Sequence, residues 1–258
     1  MIDSHCHIAG DEFEADLADV VRRALDAGVT SALCVLSAGD AAEAVRAEQV
    51  RAAWPSARFS VGVHPHHAGE FAGRVAEASD LVRTEVRRTA ACAIGEIGLD
   101  YHYDFSPRDV QQDIFRAQIA LARELSLPVI IHTREATEDT FRILAEAGDG
   151  AVRGVFHCFT GDAAMARAAL DIGFFLSFAG IVTFPRAVEL REAARLVPSG
   201  RLLSETDSPY LAPVPFRGKR NEPAYVARVV EALAEARGEP AARVAEATEQ
   251  AFGLLFGA

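Results

Sequence analysis

The chain has 258 residues, half of them hydrophobic, enough to bury a sizeable core in one or two domains. A formal net charge of −11 argues against coating long nucleic acid by bulk electrostatics. It leaves room for an enzyme that handles one phosphodiester with its own cations. No apolar run reaches the ~18 residues of a membrane span, and no basic, apolar leader opens the sequence. Cys6, Cys34, Cys92 and Cys158 lie in apolar runs without C-x-x-C spacing, as small hydrophobes of a reducing compartment do. The expected location is the cytoplasm.

Eight apolar, β-branched runs follow one another along the chain: 2–5, 31–36, 59–64, 91–97, 128–132, 154–159, 174–178 and 202–206. Several are almost continuously apolar, as strands covered on both faces are. Amphipathic segments separate them, at 13–27, 41–53, 75–88, 109–125, 138–147, 163–171, 187–196 and 222–237, and a last helix is expected over 241–256. Gly28 and Gly148 follow helical patterns and read as C-terminal caps. Strand–helix alternation means a parallel sheet with crossover helices. Eight units in about 250 residues point to an α/β fold, a (β/α)8 TIM barrel spanning 1–258 as a single domain. The runner-up is an open doubly wound sheet. Its phosphate-binding glycine loop is missing after the first run, where His5-Cys6-His7 stands instead.

Barrel active sites occupy the C-terminal ends of the strands. His5 and His7 end the first run, and their i, i+2 spacing turns both rings to one side. His64 ends the third run, Glu96 the fourth and His132 the fifth. His157 lies in the sixth, and Glu205 and Asp207 close the eighth. A carboxylate such as Glu96 in so apolar a run is costly unless it is paired or bound to metal. Glu205 and Asp207 share strand parity, so one is expected as a ligand and the other either behind the ligands or facing substrate, with Asp207 favoured as ligand. His66 and His67 are assigned to the loop. Asp100 either lines the pocket or caps a turn, and Tyr101 is a candidate pocket residue.

The favoured ligands are thus His5, His7, Glu96, His132, His157 and Asp207. Six are too many for one catalytic ion with an open position and suit two divalent ions, Mg, Mn or Zn. A carbamylated lysine bridge is nearly excluded, because Lys219 is the only lysine and lies in a loop. Glu96, with two oxygens, is the natural bridge. Two ions bring about +4 and the two carboxylates remove two, so the pocket suits an anionic phosphodiester better than a neutral amide. The expected catalytic residues are Asp207 as proton acceptor, Glu96, His64 at a phosphate oxygen or leaving group, and Glu205.

The ordered motifs Asp3-Ser4-His5-Cys6-His7, Gly62-Val63-His64-Pro65-His66, Gly95-Glu96-Ile97-Gly98-Leu99-Asp100-Tyr101 and His132-Thr133-Arg134 have a familiar pattern. With His157-Cys158-Phe159-Thr160-Gly161, Glu205-Thr206-Asp207-Ser208-Pro209-Tyr210 and 217–223 they cover nearly the whole chain. The chain resembles the TatD family of metal-dependent deoxyribonucleases, within the amidohydrolase superfamily. The resemblance implies one ion at His5, His7, Glu96 and Asp207 and a second at Glu96, His132 and His157. It implies cleavage of DNA, often 3′→5′ on single strands, with abasic-site cleavage in some members. Phosphate contacts would fall to His64 and the 217–221 loop. The candidate substrate contacts are His64, Tyr101, Thr160, Arg217, Lys219 and Asn221. DNA strands or strand ends are the expected partner of a monomer with no organic cofactor and no membrane association. The alternatives are a binuclear hydrolase of an amide, lactone or ester, and a non-catalytic metal-binding protein.

Overall fold

A computed structural model describes residues 1–103 and 105–257. Eight parallel strands hydrogen-bond in chain order: β1 (Ile2–Cys6), β2 (Ser31–Ser37), β3 (Arg58–Gly62), β4 (Ala93–Asp100), β5 (Val129–Arg134), β6 (Gly154–Phe156), β7 (Phe175–Phe178) and β8 (Leu202–Ser204). Between and after them run α1 (Leu17–Asp26), α2 (Ala41–Ala53), α3 (Val75–Thr89), α4 (Arg108–Leu125) and α5 (Thr137–Gly148). Then come α6 (Ala163–Asp171), α7 (Val188–Leu196), α8 (Val226–Arg237) and α9 (Ala241–Phe256). This is the (β/α)8 topology. β1 and β8 meet through a parallel bridge between Cys6 and Ser208, with His7 N donating to Ser208 O and Asp207 N to His5 O.

By packing, the chain divides into two compact units. The first holds Met1–Cys34, Ala42–Arg58 and His157–Ala258; the second holds Val35–Ala41 and Phe59–Phe156. In the first, Asp3 of β1 is fully buried and accepts from Thr206 N (2.8 Å) and Thr206 Oγ1 (2.5 Å). It thereby fastens the segment after β8 to β1. Burial pushes the Asp3 carboxyl up to about 8, against the pull of these hydrogen bonds. In the second, every residue of β4 is buried, as expected of a strand covered on both faces. α3 shows the logic of the outer layer: Ala78, Val82, Val86 and Thr89 form its buried stripe.

Helix ends depart from the expected glycine caps in one place. Gly28 does take a left-handed φ of 81° after α1, but Gly148 is still helical and Asp149 adopts the left-handed cap at φ 49°. Asp is one of the few non-glycine residues that enter this region readily. Among the described residues no helix is long and apolar enough to cross a membrane.

Candidate metal centre

In the first unit, three donor atoms converge. His5 Nε2 lies 3.2 Å from His7 Nε2, and Asp207 Oδ1 lies 3.7 Å from the former and 3.6 Å from the latter. A tetrahedral ion with bonds of about 2.0–2.1 Å has donor–donor edges of about 3.3–3.4 Å. The triangle therefore has the size of one face of such a coordination shell. Asp207 reaches it from a left-handed backbone, φ 55°, held by its N–H on His5 O. Burial works to raise the Asp207 carboxyl. The hydrogen bond from His7 and the neighbouring His5 and His157 nevertheless hold it below its ordinary value.

His157, the first residue after β6, stacks on His5 with ring centroids 3.9 Å apart and an 11° interplanar angle. Its Nδ1 is 3.4 Å from Glu205 Oε1. Donor atoms of His5, His157 and Glu205 all lie within 4.8 Å of one another, and all three residues are buried. Glu205 Oε1 accepts from Cys158 N at 2.6 Å, and Glu205 Oε2 is a buried acceptor with no hydrogen-bond partner among the described residues. Buried acceptors left in this state are rare and call for a cation or a water. The donor set thus fits a divalent ion. Glu205 is fully buried, with Oε1 on the Cys158 backbone N–H, which fits a place behind the ligands rather than one facing substrate.

The second unit carries a different group. β4 runs three residues beyond the apolar stretch read in the sequence, so Glu96 lies mid-strand and Asp100 is the strand end. Gly98 pairs with His132 across β4 and β5; a Cβ at Gly98 would stand 1.9 Å from His132 O, so only glycine admits this approach. Glu96 Oε1 meets His132 Nδ1 at 2.7 Å and His64 Nε2 at 3.3 Å. Burial pushes His64 down to about 4, against the pull of Glu96, so its ring is neutral at pH 7. Donor atoms of His64, His66 and His132 also lie within 4.8 Å of one another.

Asp100 joins this group from below. Its Oδ2 meets His66 Nε2 at 2.9 Å and His132 Nε2 at 3.0 Å, while Oδ1 accepts from His102 N and Tyr103 N, each at 3.0 Å. Burial opposes ionisation, but the hydrogen bonds from His132, the Tyr103 backbone and His66 hold its carboxyl well below the usual range. The His132 ring thus lies between two carboxylates, Asp100 at Nε2 and Glu96 at Nδ1, which fix its orientation. Two glutamines of α4 fix the backbone beneath. Gln118 accepts from Val63 N (2.7 Å) and donates to Val63 O (3.0 Å). Gln111 does the same for Asp100 at 2.8 and 3.0 Å. Neither was singled out from sequence, although their i, i+7 spacing puts both on one helix face.

Several sequence expectations change here. His66, assigned to the loop, belongs to the histidine group; His67 pairs with Glu70 on the surface, as a loop residue would. Tyr101, a candidate substrate contact, donates its hydroxyl to Asp139 at 2.7 Å and accepts from Gln112, so that hydroxyl is committed. Asn221, another candidate contact, is fully buried and donates its amide to Thr206 O and Tyr210 O. It braces the segment after β8 and offers nothing to a ligand. Arg220, grouped with the basic loop, is taken by Asp16 at 2.7 and 2.9 Å. Arg217 and Lys219 are exposed, Arg217 above the Phe184 ring at 3.9 Å, and Thr160 is exposed after β6.

The fold and these donor groups define a class: a parallel (β/α)8 barrel with histidines and carboxylates gathered at strand ends, suited to hydrolysis assisted by metal. Comparison with known proteins narrows it. The model of the TatD related DNase family matches residues 2–257. The metal-dependent hydrolase YabD of Bacillus subtilis is 41% identical over 256 residues, covering 99% of this chain and 98% of that protein. The 3′-5′ ssDNA/RNA exonuclease TatD of Pantoea vagans is 37% identical over 262 residues, covering 99% of each. The crystal structure of YJJV, a TatD homologue of Escherichia coli, superposes with a TM-score of 0.89 at 29% identity, covering 100% of this chain and 98% of that one. This chain belongs to the TatD-related DNase family and is a metal-dependent hydrolase.

Proposed function

We propose that the chain is a deoxyribonuclease of the cytoplasm that removes nucleotides 3′→5′ from single-stranded DNA, working as a monomer with two divalent ions. The observation that carries this reading is the donor triangle of His5, His7 and Asp207, sized for one ion, together with a second histidine–carboxylate group. One ion would be held by His5, His7, Asp207 and Glu96, the other by His132, His157 and Glu96, whose two oxygens allow it to serve both. When bound, such ions supply Lewis acidity at phosphate oxygens and acidify water. Asp207, ionised at neutral pH, receives the proton of the attacking water. His64, neutral, orients a phosphate oxygen or the leaving group. Arg217, Lys219 and Thr160, all exposed, meet the strand.

The test is incubation of protein reconstituted with Mg, Mn or Zn with 5′-end-labelled single-stranded DNA, with and without chelator. A ladder shortening one nucleotide at a time, abolished by chelator, is expected. Turnover of amide or lactone substrates without any DNA cleavage would overturn the reading.

A further inference from the structure

The loop after β4 carries an ordered aromatic surface that the metal chemistry does not use. Tyr103 and Phe105 stack with centroids 5.2 Å apart and a 14° interplanar angle. Both rings are exposed, Tyr103 to 40% and Phe105 to 66%. Both meet the His66 ring edge-to-face, at 5.5 and 4.9 Å. The Arg134 guanidinium lies over Tyr103, 4.7 Å from its centroid. Arg134 is exposed and makes no ion pair among the described residues.

Backbone contacts hold this surface in place. Asp100 Oδ1 accepts from Tyr103 N, and Ser106, the residue after Phe105, donates to His66 O at 2.8 Å and accepts from Gly69 N at 2.8 Å. A single exposed aromatic ring on a loop needs no explanation. Two parallel rings, pinned at both ends against a histidine of the site and topped by an exposed guanidinium, are a different object. Flat π faces next to an exposed cation have the chemistry of single-strand recognition: bases stack on the rings and the cation takes backbone phosphate. Stacking is indifferent to base identity because every base has a π face.

We propose that Tyr103 and Phe105 form a stacking platform for one unpaired base of single-stranded DNA, with Arg134 taking a neighbouring phosphate. The proposal rests on the nuclease reading for the identity of its ligand. Phe105 is the ring the base lies on, since Tyr103 is already engaged by Arg134 and by Phe105 itself.

The experiment is binding of phosphorothioate-linked octathymidylate, and of eight versions in which one thymine at a time is replaced by an abasic residue, followed by fluorescence anisotropy. In the wild type, one abasic position should weaken binding roughly tenfold. Phe105→Ala and Phe105→Leu should bind the intact strand roughly tenfold more weakly and show no further loss at that position. Phe105→Tyr, which keeps the ring, should behave as wild type. The exposed position makes all three variants compatible with the fold, to be checked by an unchanged melting midpoint. No sensitive position in the wild type, or a sensitive position that survives in both Phe105→Ala and Phe105→Leu, would overturn the platform. Cleavage of the natural strand, run alongside, separates the two readings. Cleavage without base dependence rejects the platform alone, and base dependence without cleavage rejects the nuclease reading alone.

Discussion

The two histidine groups solve one electrostatic problem in opposite ways. In the first unit, the side chains of His5 and His157 are 0% and 5% exposed, and Asp207 lies among the imidazoles of His5, His7 and His157. Glu205 Oε2 has no hydrogen-bond partner among the described residues. In the second, the side chains of His64, His66 and His132 are 18–26% exposed. There Asp100 is satisfied by four nitrogen donors, two of them backbone. A buried carboxylate needs charge-assisted bonds to stay ionised. Asp100 has them within the chain and Asp207 has its imidazoles, whereas one oxygen of Glu205 has no hydrogen-bond partner among the described residues. Glu205 is thus the carboxylate of the first group that a cation would serve most, and the second group is the more exposed of the two.

The largest test of this contrast is Asp207→Asn. Removing the proton acceptor should lower turnover by roughly 10²–10⁴-fold, with the fold intact by circular dichroism. Turnover within threefold of wild type would remove Asp207 from the chemistry. Chelation comes next. A divalent ion at about 100 times its dissociation constant stabilises the native state by about 2.7 kcal/mol. The melting midpoint should fall on chelation in the wild type and respond much less in His5→Ala. An equal response in both would break the assignment of the ion to the first group.

Asp100→Asn sharpens the comparison from the other side. Its two backbone donors remain, but the amide no longer fixes the His132 ring, and metal affinity should drop by roughly 10–100-fold. Competition with a chromogenic chelator measures this, and unchanged affinity would make Asp100 merely structural. The smallest effect concerns charge outside both groups. Arg217→Ala with Lys219→Ala should flatten the log–log salt dependence of single-strand binding by about 1.4, two phosphates at about 0.7 each. Arg220→Ala should leave it unchanged, because Asp16 already takes that guanidinium. Equal effects from all three would return Arg220 to the binding surface.

The sequence by itself determined the architecture: among the described residues all eight strands and nine α-helices lie where the apolar periodicity puts them, with boundaries moved by only a few residues at most ends. It also picked out His5, His7, Glu96, His132, His157 and Asp207, because a polar ligand type ending an apolar run is a local signal, visible without knowing any partner. What the tertiary structure alone decided is where the remaining polar groups are spent. Asp100 became the acceptor for His66 and His132 only because β4 extends past its apolar stretch to pair with β5. Asn221 and the Tyr101 hydroxyl were withdrawn from substrate by Thr206, Tyr210 and Asp139, and Phe105 came to stand over His66. Secondary structure follows from a period of two or 3.6 residues along the chain. A side chain's hydrogen-bond partner is set by which distant backbone reaches it, and no period records that.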